Sequence, residues 1–282
     1  MGFAKVTRDG AVLTVTIDRQ ERRNALHSPA HFEMSAIFDE FERDPVLRVA
    51  ILTGTGEKAF CAGNDLKFQA EGGTLERPAT GFAGLTKRIG RTKPVIAAVN
   101  GWALGGGFET VLSCDLAVAV TSARFCLPEV NRGLVPMVAL HLLPRQLPMK
   151  VAKSMLLTGA VFTAAEALRL GLINEVSEAD SLMTVARKWA DRIVTASPIA
   201  IATSMDIIER GLANPDFAAG FNTEYDSFKR LQASDDFIEG PRAFAMKRPP
   251  RWETSRWSFS PMILVSSRCP ISVKGIGSRC RR

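Results

Sequence analysis

From residue 11 to residue 120 the sequence alternates short apolar segments with segments of helical spacing. Leu13, Val15 and Ile17 alternate with threonines, which is typical of a half-buried strand, and residues 3–8 are expected to pair with it. Further strands are predicted at 48–53, 94–99 and 116–120, and helices at 28–43, 81–91 and 106–113. Strands separated by helices favour right-handed β-α-β crossovers, so the sequence predicts an α/β fold.

The first helix has clear boundary signals. Ser28 is predicted as its N-cap, Pro29 occupies its first turn, and Asp44-Pro45 ends it. After about residue 136 the pattern is almost wholly helical, with segments at 148–157, 163–170, 179–196, 198–212, 215–231 and 235–247. We therefore predict a β/α core over 1–195, a helical region over 196–250 and a separate tail over 251–282.

The positive charge of the chain is concentrated in that tail. Residues 251–282 hold seven basic residues and one acidic residue, Glu253, so only +1 of the net charge of +7 belongs to residues 1–250. The tail has neither helical nor strand periodicity, and we interpret it as a disordered extension. The alternative is a functional basic tail that binds nucleic acid.

Composition limits the class of protein. With 46% hydrophobic and 23% charged residues the chain resembles soluble globular proteins, and no apolar run reaches the length of a membrane helix. The N-terminal residues lack the apolar stretch of a signal peptide. Five cysteines without a CxxC pair indicate a reducing compartment and no metal knuckle. We expect a cytoplasmic protein that does not act at a membrane.

Two segments match known binding motifs in residue spacing but lack the neighbouring residues or elements that those motifs require. The segment 54–59 matches GxGxxA after a strand, but the residues that follow continue as loop or strand, whereas a dinucleotide site needs a helix there. His27 and His31 are four residues apart, but no glutamate accompanies them as in HExxH, and we interpret them as surface or capping histidines.

Two glycine-containing segments indicate chemistry. Gly105-Gly106-Gly107 stands directly before the helical residues Phe108–Ser113, which leaves N–H groups at a positive helix end where an oxyanion is stabilised. The alternative is a tight turn or close helix packing. The second segment is Ala59–Lys67, with the sequence AFCAGNDLK.

Two carboxylates lie in apolar surroundings. Glu109 follows the glycines on a helix that is otherwise apolar, and Glu129 follows Pro128. Desolvation and mutual repulsion raise carboxyl pKa values toward neutrality, which acid/base catalysis requires. The alternative is two separate surface salt bridges, which spacing alone does not separate from a shared site.

These segments resemble the crotonase (enoyl-CoA hydratase/isomerase) superfamily, and the resemblance extends in order over residues 5–248. It is carried by the stretches 48–54, 58–67, 93–109, 125–136 and 157–176. Within the family, the segments GFAGLT (81–86) and IEGPRAF (238–244) are most similar to those of the carnitinyl-CoA (crotonobetainyl-CoA) dehydratases. The resemblance implies a ββα spiral core, a helical C-terminal trimerisation region, and homotrimers or hexamers.

The resemblance also implies a site. Asn64 and Gly106 would supply the oxyanion-hole N–H groups, and Glu109 and Glu129 would be the catalytic acid/base pair. The residues expected to bind the CoA thioester substrate are Ala62, Asp65, Leu66, Lys67, Met137, Phe244 and Lys247. No metal or redox cofactor is expected for this chemistry, and CoA itself is part of the substrate.

One departure affects the acyl end of the pocket. Where hydratases usually have a glycine pair, this chain has Met137 to His141, and the bulkier Met137 and Leu140 are expected to reshape the pocket. The leading prediction is a lyase that adds water to 2-enoyl-CoA thioesters in fatty acid metabolism. The alternatives are carnitinyl-CoA dehydration, enoyl-CoA isomerisation, a CoA-thioester binding protein without turnover, and a nucleic-acid binder acting through the tail.

Overall fold

The computed structural model describes residues 2–253, which contain two β-sheets. The strands of these residues are β1 (Ala4–Asp9), β2 (Val12–Ile17), β3 (Val49–Gly54), β4 (Ala59–Cys61), β5 (Val95–Val99), β6 (Trp102–Leu104), β7 (Leu116–Val120), β8 (Arg124–Cys126), β9 (Phe162–Thr163) and β10 (Glu175–Ser177). The larger sheet has the order β1-β2-β3-β5-β7-β10 and the smaller one β4-β6-β8-β9. Neighbouring strands are parallel except for the antiparallel pairs β1–β2 and β8–β9.

The chain passes from the large sheet to the small sheet three times. β3 is followed by β4, β5 by β6 and β7 by β8, and helical segments return the chain to the large sheet. This arrangement is a ββα spiral, so the predicted fold class is confirmed. The four predicted longer strands correspond to β2, β3, β5 and β7, and the predicted pairing of residues 3–8 with β2 is also confirmed.

The helices cover the sheets and form the C-terminal part of the described chain. They are α1 (Ser28–Arg43), α2 (Leu66–Ala70), α3 (Gly106–Ser113), α4 (Ala139–Gln146), α5 (Met149–Thr158), α6 (Ala164–Arg169), α7 (Leu182–Val194), α8 (Pro198–Ala213), α9 (Phe217–Phe221), α10 (Asp226–Gln232) and α11 (Asp235–Ala245). All side chains of β3 and β5 are buried, and α7 packs against β3, β5 and β7. Burial of these two strands on both faces explains why they read as continuous apolar runs.

The start of α1 differs from its prediction by one residue. His27 occupies the N-cap position, and the Ser28 hydroxyl donates instead to the carbonyl oxygen of Glu76 at 2.8 Å. Phe32 is exposed and does not belong to the buried face of this helix. The buried face of α1 consists of Ser28, Ala30, His31, Met34, Ser35, Phe38 and Phe41.

The predicted helix over 81–91 is wrong. This segment contains only a short 3-10 helix, Phe82–Gly84, in which Ala83 has a φ of 52°. Gly81, Gly84 and Gly90 have φ values of 83°, 64° and 74°, which interrupt a right-handed helix. The predicted helix over 215–231 is likewise divided into α9 and α10.

The C-terminal helices leave many apolar side chains in solvent. Phe217, Phe221 and Phe244 are 85%, 78% and 87% exposed, respectively. The predicted boundary at residue 195 falls between α7 and α8. The tail was predicted to be disordered, and its residues beyond Glu253 lie outside the described part of the chain. Within residues 2–253, no helix combines the length and apolar character needed to cross a bilayer.

Candidate active site

The candidate site lies where the strands of the small sheet end. Asn64 follows β4 by three residues, Gly106 follows β6 by two, and Glu129 follows β8 by three. Because β4, β6 and β8 are parallel neighbours, their carboxyl ends meet at one edge of the sheet. Three turns of the spiral therefore each deliver one part of the site.

Two glycines at the start of α3 are required by close approach. A Cβ on Gly107 would lie 2.1 Å from the carbonyl oxygen of Cys61 in β4. Gly105 has a φ of 51°, and a Cβ there would lie 2.6 Å from Oε1 of Glu129. The alternative interpretation of tight packing is thus correct for these two positions, and the packing brings the N-terminus of α3 against the other parts of the site.

The backbone N–H groups of Asn64 and Gly106 lie beside each other without an internal acceptor. The N–H of Leu26 donates to the carbonyl oxygen of Gly63, and the carbonyl oxygen of Leu26 accepts from the N–H of Asp65. Because successive N–H groups of an extended chain face opposite sides, the N–H of Asn64 points away from Leu26. Gly106 is the first residue of α3, and a Cβ on Gly63 would lie 3.5 Å from its nitrogen. Over the described residues neither N–H donates to a protein acceptor, so both are available to an oxygen ligand.

Glu109 is held in the first turn of α3 by the start of a second helix. Its Oε1 accepts from the N–H groups of Val138 and Ala139 at 2.8 and 3.1 Å, at the N-terminus of α4. Burial raises the pKa of Glu109 above its ordinary value, although these two hydrogen bonds and the positive charge of Arg77 oppose that shift. Glu109 is therefore a fixed carboxyl group whose proton is retained to higher pH.

The carboxyl group of Glu129 has fewer hydrogen-bond partners than that of Glu109. It lies in the 3-10 helix Pro128–Arg132, and its Oε2 is buried without a hydrogen-bond partner. Burial, and then the negative charge of Glu109, raise the pKa of Glu129. In the described part of the chain neither glutamate has an ion-pair partner, so the alternative of two separate surface salt bridges is wrong.

The side chain of Asp65 is engaged within the protein. Its carboxylate is buried, receives a hydrogen bond from the Phe68 N–H at 3.1 Å as the N-cap of α2, and forms an ion pair with Arg19 at 3.0 Å. Burial alone would raise the pKa of Asp65, but these two hydrogen bonds and the Arg19 charge lower it below the ordinary range. The side chain is thus committed to the protein, and only its backbone is left for a ligand.

The structure brings some of the other predicted residues together. Ala62 is half-buried, and Leu66 and Lys67 are exposed on α2 beside Asn64. Met137 is exposed and directly precedes Val138, which donates to Glu109. No hydrogen bond or ion pair of the described residues joins Phe244 or Lys247 to any residue of 62–67.

Sequence reasoning misinterpreted His31 and did not single out Phe82 or Arg77, which lie beside it. The imidazole Nδ1 of His31 accepts from the N–H of Ala83 at 3.1 Å, and burial, followed by the charge of Arg77, lowers the pKa of His31 to about 3. Its ring packs 4.5 Å from that of Phe82, which in turn faces Gly106. The interpretation of His31 as a surface or capping residue is wrong, and its i, i+3, i+7 spacing with Met34 and Phe38 was the available signal.

Other ligand classes find no support in the described residues. The loop after β3 leads into β4 and not into a helix, as expected, so it lacks the geometry of a dinucleotide fingerprint. Within residues 2–253 no three His, Cys, Asp or Glu side chains are grouped as a metal site would require.

Comparison with known proteins places this geometry in a family. The family model "Enoyl-CoA hydratase/isomerase" matches residues 7–255. The chain is 42% identical over 255 residues to a carnitinyl-CoA dehydratase of Proteus mirabilis and 44% identical over 260 residues to one of Escherichia coli, covering 88% of this chain and 97% of each relative. The resemblance inferred from the sequence is confirmed.

Solved structures agree in fold. An enoyl-CoA hydratase of Mycobacterium marinum superposes with a TM-score of 0.84 at 35% identity, covering 89% of this chain and 99% of that one. A carnitinyl-CoA hydratase of Mycobacterium avium gives 0.72 at 39% identity, covering 90% and 99%. This chain, which has the fold of these solved structures, belongs to the enoyl-CoA hydratase/isomerase family.

Proposed function

We propose that this protein catalyses the reversible addition of water to the C2–C3 double bond of a 2-enoyl-CoA thioester. The observation that supports it most is the placement of two carboxyl groups with raised pKa values, the buried Glu109 and the half-buried Glu129, around the N–H pair of Asn64 and Gly106. One pair of donors and two proton-transfer groups are what this reaction needs.

The reaction divides among these groups. The N–H groups of Asn64 and Gly106 bind the thioester oxygen as it gains negative charge, and one such donor is typically worth about 3–4 kcal/mol in the transition state. Glu109, oriented by α4, takes a proton from the water that attacks C3, and Glu129 gives a proton to C2. Elimination uses the same groups in reverse. No cofactor is needed for these steps.

A second candidate is dehydration of carnitinyl-CoA, which the names of the two enterobacterial relatives favour. It uses the same proton transfers on an acyl group that bears a trimethylammonium group. Enoyl-CoA isomerisation and CoA-thioester binding without turnover remain alternatives, but the presence of both glutamates favours the addition of water.

A substrate panel tests the proposal. We expect the purified protein to remove the conjugated-enone absorbance of crotonyl-CoA or of another 2-enoyl-CoA and to yield the 3-hydroxyacyl product, identified by mass. The panel includes crotonobetainyl-CoA and a 3-enoyl-CoA. Conversion of the 3-enoyl thioester to its 2-enoyl isomer with no hydrated product would contradict the proposal and favour an isomerase.

CoA is proposed to run along the backbone of residues 62–66, with Lys67 near its phosphates. Phe244 and Lys247 at the end of α11 are proposed to close the CoA site of a neighbouring protomer, because Phe244 is almost fully exposed in the single chain. The exposed apolar side chains of α8–α11 support the same arrangement, in which the helical region over 196–250 builds a homotrimer or a pair of trimers.

Light scattering tests this assembly. We expect a mass three or six times that of the 30.7 kDa chain. Phe217→Asp is expected to reduce it, because a buried interface does not accommodate an unpaired charge, whereas Lys188→Asp on α7 should leave it unchanged. A stable wild-type monomer would contradict the assembly.

We also place the protein in the cytoplasm, in fatty acid metabolism. The support for the compartment is that Cys61, Cys114 and Cys126 are free thiols, as is usual in a reducing environment.

A further inference from the structure

The buried arginine next to the N–H pair joins two segments of the chain. Nη2 of Arg19 donates to Oδ2 of Asp65 at 3.0 Å, and Nη1 of the same guanidinium donates to the carbonyl oxygen of Ala25. Ala25 and Asp65 each adjoin one partner of the β-bridge between Leu26 and Asn64. One rigid, planar group therefore spans this bridge and links its two sides.

The segment on the Leu26 side of the bridge depends on such contacts. Arg23 and Asn24 have φ values of 55° and 56°, which place two consecutive non-glycine residues in the left-handed region. Backbone of this kind is maintained only where the surrounding contacts determine it. The N–H of Arg19 donates to Oδ1 of Asn24 at 3.1 Å, and the N–H of Asn24 donates to the carbonyl oxygen of Arg19 at 2.9 Å. Arg19 thus closes this loop with its backbone and connects it to Asp65 with its side chain.

The segment on the other side of the bridge is enclosed. The N–H of Leu26 donates to the carbonyl oxygen of Gly63 at 2.8 Å, and the N–H of Asp65 donates to that of Leu26 at 2.9 Å. On its opposite side, a Cβ on Gly63 would lie 2.9 Å from the carbonyl oxygen of Leu104 and 3.5 Å from the nitrogen of Gly106. The segment therefore lies between the closed loop and the turn that begins α3, so the position of the loop sets the spacing of the two N–H groups.

Arg19 itself is shielded from a ligand. Its side chain is only 9% exposed, and its guanidinium carbon lies 5.7 Å from the centre of the Phe3 ring. Its charge is paired with that of Asp65. Any effect of Arg19 on a bound thioester is therefore exerted through the backbone that it holds.

We propose that Arg19 is a positioning residue for the oxyanion donors. By tying the two sides of the bridge together, it holds the N–H of Asn64 at the distance from that of Gly106 that a thioester oxyanion requires. This inference rests on the proposed function. Donors stabilise a developing charge most when they are fixed before it forms, so a loosened donor weakens the transition state more than the bound ground state. Loss of Arg19 should thus lower kcat more than it raises KM.

Steady-state hydration of crotonyl-CoA tests this role. Arg19→Met with Asp65→Asn leaves no unpaired buried charge, and the asparagine keeps an acceptor for the Phe68 N–H that caps α2. We expect this double variant to recover most of the Tm lost in Arg19→Met, yet to have a kcat about 10- to 100-fold below the wild type and a KM within about threefold of it. Arg19→Lys should be intermediate, because an ammonium group does not span both acceptors.

Arg91→Met is the matched control. Arg91 forms an ion pair with Asp115 at 2.7 Å, and its side chain is 12% exposed, close to the value for Arg19. Asp115 lies two residues after the end of α3, whereas Gly106 begins that helix. Arg91→Met should therefore lose stability and keep its kcat. A double variant whose kcat returns together with its Tm, or an equal loss of kcat in Arg91→Met, would reduce Arg19 to a structural role and overturn the inference.

Enolate formation separates a failure of this inference from a failure of the proposed function. Acetoacetyl-CoA releases its C2 proton to the buffer, and the enolate that remains, whose charge lies on the two oxygens conjugated with C2, absorbs in the near ultraviolet. We expect the wild type to lower the pH at which half of the bound thioester is enolate. The double variant at Arg19 and Asp65 should raise that pH by about one unit, which corresponds to a tenfold weaker stabilisation. A wild type that lowers this pH but hydrates no thioester would contradict the proposed function alone. An unchanged midpoint in the double variant, or no lowering by the wild type, would overturn the inference.

Discussion

Glu129→Gln is expected to lower kcat for hydration by about 10²–10⁴-fold while raising the stability of the folded protein. The amide cannot exchange the proton at C2, so catalysis is lost. Stability rises because the buried Oε2 of Glu129 has no partner and its charge is repelled by Glu109. Glu109→Gln should lose hydration to a similar extent, and Glu57→Gln, in an exposed loop, should change neither property.

The stability gain has a defined pH dependence. Because the pKa of Glu129 is raised in the folded state, its contribution to stability is fully present below the ordinary glutamate pKa of about 4.3 and is lost as pH rises through the folded-state pKa. The Tm of Glu129→Gln should therefore exceed that of the wild type at pH 7.5 and match it at pH 4. Hydratase activity within tenfold of the wild type in either glutamine variant would contradict the two-carboxylate mechanism.

Asp65→Ala is expected to reduce the free energy of unfolding by about 3–5 kcal/mol, measured by urea denaturation. The side chains of Arg19 and Asp65 are only 9% and 4% exposed, so removal of the carboxylate leaves a buried cation without its counter-charge. Asp18→Ala, which breaks the more exposed pair of Asp18 with Lys5, should cost less than about 1 kcal/mol.

A double substitution tests whether the loss of stability comes from the uncompensated charge of Arg19. Arg19→Met with Asp65→Leu removes both charges and should recover most of the loss, because an apolar pair needs no compensation. Since the pKa of Asp65 is lowered in the folded state, the stabilisation by its charge is present above the unfolded-state pKa and declines as pH falls. A loss below 1 kcal/mol in Asp65→Ala would show that Arg19 is solvated in another way.

Local periodicity identified the long elements and failed at the short ones. β3, β5 and β7 are five- or six-residue apolar runs, and α3 begins at the second of three consecutive glycines, so these were predictable. β4, β6 and β8 have three residues each, too few to show a period of two. The spiral that unites the site was therefore supplied only by the family resemblance.

The candidate site shows the same division. Glu109, Glu129 and Gly106 belong to segments with a recognisable motif, and the structure brings them together. Arg77 belongs to an irregular loop and reaches Asn64 across 13 residues, a contact that no periodicity encodes. His31 was misinterpreted because it was compared with His27 as a metal motif, whereas its spacing with Met34 and Phe38 places it on the buried face of α1.

Each part of the candidate site is contributed by a separate turn of the spiral. This affects how related sequences can diverge in the reaction that they catalyse. The proposed oxyanion donors are main-chain groups that follow strand ends, so a change of side chain at Asn64 leaves its N–H in place. The proposed proton-transfer groups, Glu109 and Glu129, are side chains that follow β6 and β8, and each can be exchanged alone. Such a scaffold keeps the ability to stabilise a thioester enolate while the fate of that enolate is rewritten by single substitutions.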